Sequence, residues 1–253
     1  MLRSFALHDI PVNHIAAMER WYYRDHAPEI VRRYGPWMAR FECYLPVPAP
    51  ADAQAYGFHN WRMTEGWWRE LPAAGTENDI CFTPPKIWPR VAAAFVRPQA
   101  TEHFLACDFL PLEKICIRWL LLLRYPDGVS RDEGEDWFLR VHAPEVARQP
   151  GLVRFMSYQV IQEAGHVPGR WRPDTVPPDG KVKTCWDRVV ELWYETFDDW
   201  RRAVMSEPRA YTRPEWATQA AYPFLRPYEE LASTFILERP NDDFLRDLRG
   251  YVP

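Results

Sequence analysis

No stretch of this chain stays apolar long enough to cross a membrane. The longest run, ICIRWLLLLRY at 115–125, falls far short of the roughly 20 residues a spanning helix needs and reads as a buried strand. The opening MLRSFALHDIPVNH lacks a signal peptide's apolar segment. The five cysteines, at 43, 81, 107, 116 and 185, are scattered and form no CxxC pair. A reduced, cytoplasmic protein with structural thiols is the expectation. Basic residues are not in excess, 31 against 35 acidic ones, so nucleic acid is not an expected partner.

Several chemistries lack their signatures. There is no GxGxxG and no GxxxxGK[ST] to cradle phosphates, and no GxSxG elbow. The few serines, at 4, 130, 157, 206 and 233, have no nucleophile context. HxH, HExxH and Cys/His pairs at ligand spacing are missing, so no metal site is expected. Without CxxCH, any haem would be held non-covalently. Proton transfer without a cofactor is what these absences leave.

Rings are plentiful: 13 Trp, 12 Tyr and 13 Phe, enough for a core and an aromatic pocket. One short pattern also occurs twice, in MERWYYRDHAPEIVRRY and GEDWFLRVHAPEVAR. At an offset of 116, Glu19 matches Glu135, Trp21 matches Trp137, and Arg24 matches Arg140. His26-Ala27-Pro28-Glu29 matches His142-Ala143-Pro144-Glu145, and Arg32 matches Arg148. After a two-residue shortening, Arg40-Phe41 and Tyr44 match Arg154-Phe155 and Tyr158. A match that continues into the next element points to internal duplication.

The surroundings repeat as well. Strands are expected at 4–10, 37–47, 56–68 and 101–110, with helices at 14–34 and, weakly, 86–95. The second half offers strands at 114–125, 152–162, 183–195 and 229–238, with helices at 131–148 and 197–206. That order is β-α-β-β-α-β twice: an α+β chain of tandem ferredoxin-like repeats, 1–112 and 113–253. The run 119–123 has no polar alternation, so the face of each sheet away from its helices must be covered too. Two sheets facing each other, as a pseudo-dimeric α+β barrel, would do this and leave a pocket between them. The Pro/Gly-rich stretches 49–55 and 163–181 read as loops, the second a candidate lid. The aromatic, Pro-punctuated 207–228 reads as a cap, and the tail from 239 as peripheral or as a contact in a homo-oligomer.

Pro28 lacks an N–H and clashes with the carbonyl of Arg24, and Ala27 is pushed out of the α region. The helix is therefore expected to break at His26-Ala27, aiming His26 off the regular row, with His142 in the same situation. Trp21 and Trp137, five residues earlier, would approach these histidines only partly. Each His either bonds a carbonyl freed by the break or acts as an acid/base. His8, His59 and His103 fall in expected strands, with no sign of which face is inward. Arg40, Arg62, Arg118, Arg154 and Arg188 interrupt apolar strands and need partners. A substrate carboxylate suits such a fork, and so does a protein carboxylate. Tyr44 and Tyr158 are repeat-matched hydroxyls that either bind a substrate oxygen or cap the sheet.

The W-x4-HAPE helix followed by an aromatic and arginine-bearing strand resembles the EthD-like branch of the dimeric α+β barrel superfamily, in both halves. Muconolactone isomerase-like proteins, polyketide cyclases and antibiotic-type monooxygenases are relatives of that branch. The resemblance implies a cavity for a small aromatic-derived molecule beside the first-helix histidine, carried here to His26 and His142. Taken together, the expectation is a cofactor-independent isomerase acting on a small unsaturated, carboxylated product of aromatic catabolism. His26, His142, His59 and Tyr44 are the catalytic candidates. Arg40, Arg62, Arg118, Arg154, Trp61, His103 and Tyr158 are the binding candidates. A lyase, cyclase or monooxygenase, or a non-enzymatic binding barrel, is the alternative.

Overall fold

The computed structural model describes residues 1–70, 89–106, 115–161, 182–205 and 211–248. The first half runs β1 (Leu2–Asp9), α1 (Ile15–Trp21), a π-helical turn (Tyr22–His26), α2 (Ala27–Tyr34), β2 (Met38–Tyr44), β3 (Arg62–Trp68) and β4 (Arg90–Leu105). The second runs β5 (Ile117–Leu123), α3 (Arg131–Trp137), a π-helical turn (Phe138–His142), α4 (Ala143–Val146), β6 (Leu152–Val160), β7 (Val182–Lys183), β8 (Arg188–Tyr194), α5 (Phe197–Val204) and β9 (Leu231–Leu237). β10 (Asp242–Asp243) and α6 (Phe244–Leu248) follow. Ordinary caps start two of the helices. The Ser130 hydroxyl accepts from the Glu133 N–H, and the Thr196 hydroxyl from the Asp199 N–H, with acidic residues in both first turns.

The strands form one sheet, ordered β10-β2-β3-β1-β4-β6-β8-β5-β9, with β7 beside β4. Among the described residues its two ends do not pair, so the expected closed pseudo-dimeric barrel is not what forms. The reason lies in β4. Its first part pairs with β1, from Arg3 with Val96 to Asp9 with Arg90. Its last part pairs with β6, from Thr101 with Tyr158 to Leu105 with Phe155. One strand of 16 residues thus carries the sheet from one half into the other, and the halves join edge to edge. The weak helix expected at 86–95 is overturned from Arg90 onward, where β4 begins; 86–88 lie outside the described residues. The strand expected from 56 starts only at Arg62, which leaves His59 ahead of β3. The candidate lid at 163–181 also lies outside the described residues.

The tail is not peripheral. Asp242 and Asp243 pair with Cys43 and Glu42, so β10 extends β2 at its free edge. Phe244 packs on Tyr22 and Phe41, with ring centroids 5.8 and 5.3 Å apart. In the second half Phe104 packs on Phe138 and Phe155, at 6.2 and 4.6 Å. Each half thus receives an edge segment and a phenylalanine from the end of the other half.

Three cores result. One lies under the first-half helices, around Met18, Tyr22, Val31 and Trp61. A second lies under the second-half helices, around Trp119, Phe138, Trp200 and Phe235. The third occupies the opposite face and draws on both halves, with Phe5, Leu7 and Met63 beside Leu120, Leu122, Trp186 and Ile236.

Candidate functional site

Neither helix breaks at its HAPE proline. Ala27 keeps helical torsions, φ −65° and ψ −43°, and its N–H bonds back five residues to the Tyr22 carbonyl. The wider π turn moves the preceding carbonyls away from the proline ring, so the chain stays helical where an α turn would clash. It also changes which side chains meet. Residues five apart come to lie one above the other, and the Trp21 and His26 rings sit 4.8 Å apart at 30°. Trp137 and His142 repeat this at 4.6 Å and 35°.

The helix is tied to the sheet by Glu19. Its carboxylate accepts from Arg62 Nη2 at 2.5 Å and from Trp61 Nε1 at 2.6 Å. The Arg62 guanidinium, fully buried, lies 4.1 Å from the Tyr22 ring centroid. Glu135, Arg188 and Phe138 make the same arrangement in the second half, with the guanidinium 4.2 Å from the ring. Arg62 and Arg188 are thus internal struts, and Trp61 serves the same tie.

Between the first-half helices and the sheet lies a cavity of about 130 Å³. Its helical wall is Trp21, Tyr22, His26, Ile30 and Tyr34. Its floor is small: Ser4, Ala6, Thr64, Gly66 and Ala93, with His8 at one side. A Cβ on Gly66 would stand 2.6 Å from the Ser4 hydroxyl, so a larger residue here would have to displace that side chain. Among the described residues, no Arg, Lys, Asp or Glu lines the space. Both ring nitrogens of His8 are buried without a hydrogen-bond partner among the described residues. Burial holds His8 well below its usual pKa, and repulsion from His26 and Arg62 adds to this. Burial keeps the Tyr22 phenol protonated, with its pKa far above the usual value, and the neighbouring Cys43 reinforces this.

The equivalent space in the second half is filled. Strand registers equate Ser4 with Trp119, Ala6 with Leu121, His8 with Leu123 and Gly66 with Leu192. These large side chains pack with Phe235 and Trp200. His142 is buried, and desolvation pushes its pKa down to about 3. Its ring lies parallel to Tyr222, 5.6 Å away at 12°. The two expected catalytic histidines therefore stand in different surroundings, one against a cavity and one under a ring of the protein itself.

The remaining expected site residues gather elsewhere. Arg40, Tyr44, His103, Arg118, Arg154 and Tyr158 line a cleft of about 410 Å³ on the sheet face away from the helices. Part of its lining is an ion cluster. Arg3 meets Glu65 at 2.5 Å and Glu191 at 2.8 Å, while Arg118 meets Glu191 at 2.7 Å and Glu65 at 3.5 Å. Arg118 is thus already paired with carboxylates of the protein. Tyr158 accepts from Arg3 at 2.7 Å, and the Arg154 guanidinium lies over Trp193 at 4.8 Å. Arg40 is largely exposed and 3.6 Å from Glu42. His59 joins neither group. Its backbone N–H bonds Ser233, its Nδ1 faces the Gly57 carbonyl at 2.9 Å, and burial lowers its pKa to about 3.

Sequence reasoning placed His8 in a strand but gave it no role. The signal was available in the alternation Ser4, Ala6, His8: two small side chains followed by a polar one on the helix-facing side. The described residues contain no group of three or more His, Cys, Asp or Glu close enough to hold a metal ion.

A family model, the chalcone isomerase N-terminal domain, matches residues 1–83. That stretch carries most of the cavity lining, from Ser4 to Trp68. No curated protein matches the chain. Among solved structures it is similar in arrangement to an anthrone oxidase-like protein, with a TM-score of 0.48 and 12% identity over 93% of this chain and 90% of that one. It is also similar to a mutant chlorite dismutase from Candidatus Nitrospira defluvii, with a TM-score of 0.41 and 9% identity over 97% and 94%.

Proposed function

We propose that the first-half cavity is a proton-transfer site for a small, uncharged, aromatic molecule bearing a conjugated carbonyl, and that the reaction is an isomerisation. The observation that carries this is the pairing of His26 and His8 in one apolar, ring-walled space that, among the described residues, no charged side chain lines. About 130 Å³ is on the order of the room one aromatic ring takes. A carboxylate there would be stripped of water without a counter-charge, so the carboxylated substrate expected from the strand arginines gives way to a neutral one.

In this reading His26 takes a proton from the substrate. His8, neutral around pH 7, donates its N–H to the oxygen where negative charge builds. The proton returns at another position of the conjugated system, so no co-reactant is consumed. The name of the matching family model supports isomerisation. A second reading starts with the same deprotonation and ends with dioxygen attacking the resulting anion, since an apolar chamber admits dioxygen as well as a ring.

The test is turnover of unsaturated aryl ketones in deuterated water, with and without air. Solvent deuterium in a product isomeric with the substrate, formed equally without air, is the expected result. His26→Gln should lower that rate by roughly 10²–10⁴. Turnover that stops without air selects the oxidative reading, and unchanged turnover in His26→Gln removes His26 from the chemistry.

A further inference from the structure

We propose that the cleft on the sheet face away from the helices is a second binding site, separate from the first-half cavity, and that it takes a free α-amino acid with an aromatic side chain. Repeat counterparts build both of its walls. Arg3 lies opposite Trp67 across β1 and β3, as Arg118 lies opposite Trp193 across β5 and β8. The same registers equate Glu65 with Glu191. Arg40 and Tyr44 are matched by Arg154 and Tyr158, and all of these residues line the cleft.

The symmetry fails at two places, and each leaves a charge unmatched. Arg40 has Glu42 at 3.6 Å, but the Glu42 position of β6 is Met156. Arg154 therefore meets the Met156 sulfur, at 3.4 Å, and the Trp193 ring, and no carboxylate pairs with it among the described residues. Two residues beyond Ile236, the partner of Arg118 in β9, comes Glu238. Two beyond Val96, the partner of Arg3 in β4, comes Pro98. Among the described residues Glu238 makes no ion pair, and its buried Oε2 has no hydrogen-bond partner. Burial pushes this carboxyl up, and Arg154 opposes that without pairing.

The central charges, Arg3, Arg118, Glu65 and Glu191, satisfy one another. What is left over is one cation and one anion, in a cleft whose described lining carries four arginines and four glutamates. An α-amino acid bears the complementary pair on a single carbon. Its carboxylate suits the Arg154 fork and its ammonium suits the Glu238 oxygen. A ligand with only one of these charges leaves the other side chain unanswered. Trp67 and Trp193 offer apolar walls for the aromatic side chain. The volume, about 410 Å³, lies in the range of small-molecule sites.

The probe is L-phenylalanine, titrated calorimetrically into the full chain beside 3-phenylpropanoate, which lacks the ammonium, and 2-phenylethylamine, which lacks the carboxylate. L-Phenylalanine should bind, with each analogue weaker by about 10–100-fold. Arg154→Met and Glu238→Gln remove side chains that hold no ion pair among the described residues, so both should fold. Each should weaken L-phenylalanine by about the same factor as the missing ligand charge. No binding of L-phenylalanine overturns the inference, and so does unchanged affinity in either folded variant. The analogue series on wild type decides the matter without any variant: either analogue binding as tightly as L-phenylalanine overturns the zwitterion assignment. Tighter binding of 3-phenylpropanoate to Glu238→Gln than to wild type, at equal wild-type affinity for it and L-phenylalanine, would make the cleft a plain carboxylate site instead.

Discussion

The spacing of Trp21 from His26 has a local cause. On an α-helix, residues five apart face different directions, and a Trp-x4-His pair would point apart. The π turn makes them neighbours, and the proline two residues past the histidine is accommodated by that wider turn. The duplicated letters were legible in the sequence, but this consequence was not. Rules for proline in helices predict a break, because they assume an i to i−4 ladder. The same burial makes three histidines, His8, His59 and His142, neutral in the folded chain. The sign follows from proton counts. Below about pH 6.5 the unfolded chain takes up protons that the folded chain refuses, so their contribution is complete above that pH and falls on acidification. For His142 the loss continues to its folded value of about 3. His142→Leu should flatten the stability–pH curve between those values by about 1.4 kcal/mol per pH unit. Urea midpoints across pH 4–7 measure this, and an unchanged slope would show that His142 is protonated in the fold.

At the scale of elements, the two halves share their struts and differ in their floors. Glu19 with Arg62 and Glu135 with Arg188 pin each helix to its sheet at the same place. Both glutamates were visible in the repeat and both arginines in the strands, but their pairing depends on how helix and sheet pack. Glu19→Ala leaves a fully buried guanidinium without its carboxylate. Because Glu19 keeps 28% of its side-chain exposure, the expected cost is about 2–3 kcal/mol, at the low end for broken buried pairs. Adding Arg62→Met should recover most of it, a coupling that a double-mutant cycle reads directly. The floors explain why one copy has a cavity. Where β5 carries Trp119 and Leu121, β1 carries Ser4 and Ala6. Ala6→Leu copies the second half into the first. It should lower turnover and ring binding more than about tenfold, with a stability change within about 1–3 kcal/mol of wild type. Full activity in a folded Ala6→Leu variant would place the reaction outside this cavity.

Across the whole molecule, the repeat order of strands was readable from hydrophobic periodicity, whereas the way the halves join was not. A boundary near residue 112 suggests two sheets that meet face to face. The length of β4, which runs through Arg90–Leu105 and pairs on both sides of the junction, instead makes one sheet. The ion cluster reinforces this union. Each half supplies one arginine and one glutamate, and both arginines touch both glutamates. Burial by itself would raise the Glu65 pKa, but Arg3 and then Arg118 outweigh it and hold the carboxyl below its usual range. Its contribution is therefore present above about pH 4.5 and is lost as pH falls through the lowered folded value. Arg118→Met leaves two buried carboxylates to share Arg3 and should cost about 3–5 kcal/mol. A shared core, a shared strand and this cluster together mean that the loss cannot be confined to the second half. Thermal unfolding of Arg118→Met at neutral pH should remain a single transition at lower temperature, with calorimetric and van't Hoff enthalpies in agreement. Two separated transitions, with only one displaced by the substitution, would show that the halves fold independently and that the cluster is not what couples them.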